Sequence, residues 1–219
     1  MRRLFIRIGQ VLLGLLIFSL GVHLTIRADL GLAPWDCLGM GLAGRTPLTY
    51  GAVMTVMGVV ILGIDLLLGE KIGLGTVIDA LLTGNFVQLF QWADPFPETP
   101  NVPAGLAMIA AGLLLMALGQ VFYMRAAMSC GPRDALLVGL GKRVKRVPIG
   151  AVQVLLWGVV LGLGYALGGK VGIGTLVTTF GGGPAAQLVF RLTRFEPRDV
   201  AHESIAATFK AAKADCRPG

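Results

Sequence analysis

The sequence is poor in the residues from which catalytic and metal-binding domains are usually made. Its three cysteines, Cys37, Cys130 and Cys216, show no metal-ligand spacing and cannot all pair, which argues against both a zinc site and a disulfide framework. It has two histidines. His23 has no His, Cys or carboxylate one helical turn on, and neither it nor His202 has a visible Ser or Cys partner. Metal binding and nucleophilic catalysis are therefore unsupported. The Gly181-Gly182-Gly183-Pro184 run lacks the Lys-Ser/Thr of a phosphate loop. No enzyme, cofactor or metal is expected. Charge is scarce too, at 14% of residues. The excess of +7 flanks apolar runs instead of forming a patch, so nucleic acid is not an expected partner.

What is present is apolar. Hydrophobic residues make up 55% of the chain and the mean hydropathy is +0.76, beyond what a soluble domain carries. Six runs have the length needed to cross about 30 Å of hydrocarbon: Ile8 to Ile26, Tyr50 to Leu68, Ile72 to Phe90, Val102 to Met124, Ile149 to Leu167 and Val171 to Phe190. The lipid bilayer is the first expected partner. Met1-Arg2-Arg3 before an apolar run could suggest a signal peptide. The glycine pattern of this run recurs later, however, so it is read as part of the fold.

The recurrence extends through the chain. Arg27 to Asp36, Arg-Ala-Asp-Leu-Gly-Leu-Ala-Pro-Trp-Asp, is echoed by Arg125 to Asp134, and Gly73-Leu74-Gly75-Thr76 by Gly172-Ile173-Gly174-Thr175. The chain reads as a duplication. Each copy also holds a short apolar segment, Leu32 to Ala43 and Pro132 to Gly141, too short to cross and therefore expected as a half-helix. Proline suits a first helical turn. Asp36 and Asp134 then face the positive end of the helix dipole, either as simple first-turn residues or as charge or proton sites.

The third and sixth runs carry the polar candidates. Asp79 lies deep in its run, and an ionisable group there is a functional hypothesis by default. Thr76, Gln88, Thr175 and Gln187 are further candidates for binding a solute or ion, against the plainer reading that threonines and glutamines bond across helices. Gly73, Gly75, Gly172 and Gly174 are expected at turns or close packing. Gly182 and Pro184 are expected to break the sixth run near its middle, since such a sequence sustains helical bonding poorly. Asp65 is read as interfacial, and Arg27 and Arg125 as interface anchors.

With six spans and the amino terminus inside, sixteen Lys and Arg lie inside and three outside, as the positive-inside rule expects. Three spans per copy is odd, so the two copies would insert upside down relative to each other. The expected organisation is a first membrane repeat over 1–92, an external linker over 93–102, a second repeat over 103–195 and a cytoplasmic tail over 196–219, part of it a surface helix.

These motifs, Arg27 to Asp36, Gly73 to Thr76, Gly131-Pro132-Arg133-Asp134 and Gly172 to Thr175, resemble the YczE/YitT-type bacterial integral membrane proteins over roughly residues 5 to 195. Ala33 stands where that family usually has glycine. The resemblance implies location more than mechanism.

The fold expected is all-α and polytopic, two inverted repeats of three transmembrane helices plus one half-helix each, in the plasma membrane with both termini cytoplasmic. Inverted repeats with discontinuous helices are the build of many secondary transporters. A small-solute or ion transporter is the leading reading. A non-transporting accessory or regulatory protein, binding a membrane-protein partner or its own copy, or the substrate-binding subunit of a larger pump, are the alternatives. A midplane cavity lined by Asp79 and Gln88 would favour transport.

Overall fold

The computed structural model describes residues 2–70, 72–97, 99, 101–128, 131–144 and 147–196. The expected tail helix, Cys130, Cys216, Lys71 and the end of the basic loop at Lys145 and Arg146 lie outside these residues. Eight helices and no strands are found among them, in the order α1 (Arg2–Arg27), α2 (Pro34–Ala43), α3 (Tyr50–Leu67), α4 (Leu74–Ala93), α5 (Val102–Arg125), α6 (Pro132–Arg143), α7 (Ile149–Ala166) and α8 (Ile173–Leu192). The pattern of long, short, long, long occurs twice. Four of the helices, α1, α3, α5 and α7, are long and apolar enough to cross a membrane. This is an integral membrane protein. Large apolar side chains cover its outside, among them Val56, Val60, Leu66, Val154, Leu155 and Phe180, all more than half exposed. In water such a surface would aggregate; in lipid it is solvated.

Glycine sets the centre. Helices α1 and α5 form the most extensive pair and run antiparallel, with Gly14 against Gly119 and Gly21 against Gly112. A Cβ on Gly119 would stand 2.5 Å from the Phe18 nitrogen and 2.6 Å from the Gly14 carbonyl oxygen, so only glycine permits this approach. Close backbone contact of this kind drives helix association where lipid offers no hydrophobic gain. Against this pair α4 packs on α1 and α8 on α5. The apolar core follows, with Val11, Leu15, Tyr123 and Met128 in one cluster and Ile109, Leu113 and Ala28 in another.

The two halves also grip each other through backbone. Gly75 N–H donates to the Met128 carbonyl at 2.9 Å, and Gly174 N–H donates to the Leu30 carbonyl at 2.8 Å. Each loop before a short helix thus docks on the start of the other half's last helix. Turns recur in step, since Asp29 and Ala127 are both left-handed, at φ 52° and 54°. Among the glycines read as turns, Gly73 and Gly172 cap the starts of α4 and α8, whereas Gly75 and Gly174 lie just inside those helices.

The expected break in the sixth run does not occur. Helix α8 is continuous from Ile173 to Leu192, with Gly182 and Pro184 inside it. Proline removes a single intrahelical hydrogen bond, here that to the Phe180 carbonyl, and neighbouring structure sustains the rest of the helix. Asp65, expected near the interface, is turned into the protein. It is fully buried near the end of α3, and neither carboxylate oxygen has a hydrogen-bond partner among the described residues.

Candidate functional site

Helix α6 opens as Gly131 at the N-cap, then Pro132, Arg133 and Asp134; helix α2 opens as Ala33, Pro34, Trp35 and Asp36. Proline fixes the first turn of each without wasting a donor. The residue after it differs between the halves, and the two meet. The Arg133 guanidinium lies 5.3 Å over the Trp35 ring, a cation–π stack, and reaches the Met54 sulfur at 3.9 Å. Both short helices therefore direct their amino-terminal ends into the same region.

Three carboxylates surround this cation. Asp36 is buried and accepts a hydrogen bond from the Tyr50 hydroxyl at 3.0 Å. Asp79, on α4, accepts from the Thr83 hydroxyl one turn on. Its Oδ2 sits against Gly131, where a Cβ would come within 2.7 Å of it and 3.9 Å of the Asp134 carboxylate. Glycine at the α6 cap is what allows the two acids to share this corner. In the other half Ala33 replaces this glycine and Thr178 replaces Asp79, so Asp36 has no second acid at the equivalent place. Arg133 acts electrostatically on Asp36, Asp79 and Asp134 alike.

Asp79, Thr83, Gln120, Arg133 and Asp134 line a cavity of about 280 Å³, closed elsewhere by Phe18, Met54, Met116, Tyr123, Trp157 and Gly182. It is concave, mainly apolar and holds a few convergent polar groups, the usual make-up of a small-molecule site. Of the residues singled out from the sequence, Asp79, Asp134 and Gly182 line it. Gln88 does not: its Oε1 accepts the Gly51 N–H at 3.2 Å and so caps the first turn of α3. Thr76 is fully buried. Thr175 accepts from Gly172 N–H at 3.2 Å at the start of α8, and Gln187 is exposed away from the cavity. Sequence reading missed Arg133, Gln120 and Trp157. The signal for Arg133 was the Gly-Pro-Arg-Asp motif itself, in which it had been counted only as an inner positive charge.

A second opening adjoins the first. Between α7 and α8 lies a slot of about 430 Å³ lined by Gln153, Val154, Trp157, Thr179, Phe180 and Gly183, and Trp157 belongs to both.

Comparison with other proteins places the chain. Residues 5–191 match DUF6198, described as a family of unknown function. The chain belongs to this family. It is 32% identical over 176 residues to YyaS of Bacillus subtilis, an uncharacterized protein, covering 78% of this chain and 86% of that one. It is 28% identical over 171 residues to YczE of the same organism, an uncharacterized membrane protein, covering 75% of this chain and 76% of YczE. A Haemophilus influenzae protein is 28% identical over 170 residues, with 78% and 77% covered. The resemblance to YczE read from the motifs thus holds for the DUF6198 chain. No solved structure matches.

Proposed function

We propose that this chain is a transporter of a small solute or ion, built from two inverted copies of one unit, and that it lies in the plasma membrane with both termini in the cytoplasm. One observation carries the proposal: a cavity between the halves holds Asp79, Asp134, Arg133, Gln120 and Thr83 among mainly apolar walls. Ionisable groups at such depth are costly and mark ion and substrate pathways. The cavity is lined by Asp79 but not Gln88, so half of the signature expected from the sequence is present.

Further support comes from the helix pairing. Gly112 and Gly119 repeat Gly14 and Gly21, so the antiparallel contacts of Gly14 with Gly119 and of Gly21 with Gly112 are reciprocal, the pattern expected about a two-fold axis in the membrane plane. At 20 residues each, α4 and α8 are about 30 Å long, enough to span as the fifth and sixth crossings despite their polar residues. In this arrangement Asp36 and Asp134 stand at the mouths of half-helices entering from opposite faces. The basic residues Lys142 and Arg143 then fall on the inner side.

A thermal-shift screen of the purified protein against small solutes tests the reading. A solute that raises the melting temperature of the wild type, but not of a folded Asp134→Asn or Asp79→Asn variant, and that is taken up by proteoliposomes, supports it. Full uptake activity in both variants would contradict the assignment of this cavity as the pathway.

A further inference from the structure

We propose that the central cavity takes an organic cation with an aromatic or apolar body, admitted sideways from the bilayer through the slot between α7 and α8. The inference rests on the transport reading for the cavity's role and adds the class of solute and its route.

Charge comes first. The region holds three carboxylates, Asp36, Asp79 and Asp134, against one guanidinium, Arg133. Arg133 is already engaged by the Trp35 ring and the Met54 sulfur, and Asp36 by Tyr50. Asp134 instead presents its carboxylate to the cavity, beside that of Asp79. A cation entering this space meets the carboxylates of Asp79 and Asp134, while Arg133, the cation of the described lining, is stacked on the Trp35 ring.

The walls complete the match. Phe18, Tyr123 and Trp157 supply ring faces that attract a cation and pack an apolar body. Met54 and Met116 add flexible thioethers that adapt to irregular shapes.

The route follows from one residue difference between the halves. Gly58 on α3 lets the helix close on Ala80, whose carbonyl oxygen a Cβ there would approach to 2.9 Å. At the corresponding place α7 carries Trp157, opposite Thr179. The indole stands between α7 and α8, and no atom lies within 4 Å of a Cβ built on Gly150, Gly158 or Gly183. The slot it holds open is flanked by Val154 and Phe180, 66% and 71% exposed on the lipid-facing surface. A solute partitioned into the bilayer by its apolar body reaches the acids past an aromatic ring.

The probe is radiolabelled benzyltrimethylammonium, permanently charged, with the full chain in nanodiscs; benzoate serves as the anionic counterpart. The expected result is saturable binding of the cation, no competition by benzoate, and affinity lowered about tenfold or more by Asp79→Asn or Asp134→Asn in variants whose melting temperature is unchanged. Gly183→Phe, which fills open space, should slow association and dissociation alike and leave Kd unaltered. Absence of saturable cation binding to the wild type, preferential binding of benzoate, or unchanged rates in folded Gly183→Phe protein would overturn the proposal. Uptake by proteoliposomes separates this inference from the one beneath it. Cation binding without flux would uphold the solute class and overturn transport, while flux of another solute without cation binding would uphold transport and overturn the class.

Discussion

Helices α3 and α4 in the first half lie against each other, and helices α7 and α8 in the second do not. In the first half Gly51, Gly58 and Gly84 form a continuous close contact, with Gly84 seated under the Met54 side chain and Gly51 within hydrogen-bonding reach of Gln88. Asn85 adds a bond to Thr55 at 3.0 Å. In the second half the matching glycines, Gly150 and Gly183, survive in the sequence but touch nothing. Glycine permits close packing without enforcing it. Trp157 stands in place of Gly58 and lines the slot between the separated helices, and an indole cannot be accommodated at a helix separation set by glycine. The consequence is an asymmetric molecule: a sealed wall on one side of the charged cavity and a slot on the other.

The largest effect is expected from copying the second half into the first. Gly58→Trp places an indole where even a Cβ would crowd Ala80, at a cost exceeding about 3 kcal/mol by overpacking. Little monodisperse protein should be recovered on size-exclusion chromatography, and a well-folded Gly58→Trp variant would show that the α3–α4 wall yields easily.

Next, glycines of the two kinds should respond oppositely to substitution. Gly119→Leu, at the backbone contact with Gly14 and Phe18, should lower stability by about 3 kcal/mol, whereas Gly183→Ala, in open space, should stay within about 0.5 kcal/mol of the wild type. Denaturation in mixed micelles measures both. Equal losses would mean that the glycines of α8 are also packed.

The smallest effect is expected at the surface. Lys170 donates to both Asp29 carboxylate oxygens, at 2.7 and 2.9 Å, but the two side chains are 69% and 65% exposed. Lys170→Ala should therefore change stability by less than about 1 kcal/mol, even though it lies beside the Leu30–Gly174 contact that joins the halves. A larger loss would place the grip between the halves in this ion pair instead of the backbone bonds.

Much of this arrangement was legible in the sequence. The apolar runs and the repeated Pro-x-Asp segments gave the eight elements, the ends mostly within about two residues, although α1 begins at Arg2, well before its run at Ile8. Asp79 and Asp134, singled out by depth and position, both line the cavity. What periodicity could not carry was which helices touch. Gln88 and Thr175 look like binding groups in a linear reading, yet each satisfies a helix start, a role visible only once Gly51 and Gly172 are placed beside them. Arg133 was hidden by a correct generalisation, that basic residues near span ends set orientation, which does not see a side chain turned inward onto Trp35. The continuity of α8 through Pro184 was missed for a related reason: one lost hydrogen bond is a local cost, and the surrounding bundle outweighs it.

The asymmetry of the two helix pairs can be measured directly by disulfide cross-linking at equivalent lipid-facing positions. In a background with Cys37, Cys130 and Cys216 replaced by alanine, Val59→Cys with Leu81→Cys reports on α3 and α4, and Gly158→Cys with Phe180→Cys on α7 and α8. Rapid oxidative cross-linking of the first pair and little or none of the second, with the second restored by Trp157→Gly, is the result expected of a slot held open by the indole. Equally rapid cross-linking of both pairs in protein that retains Trp157 would contradict it.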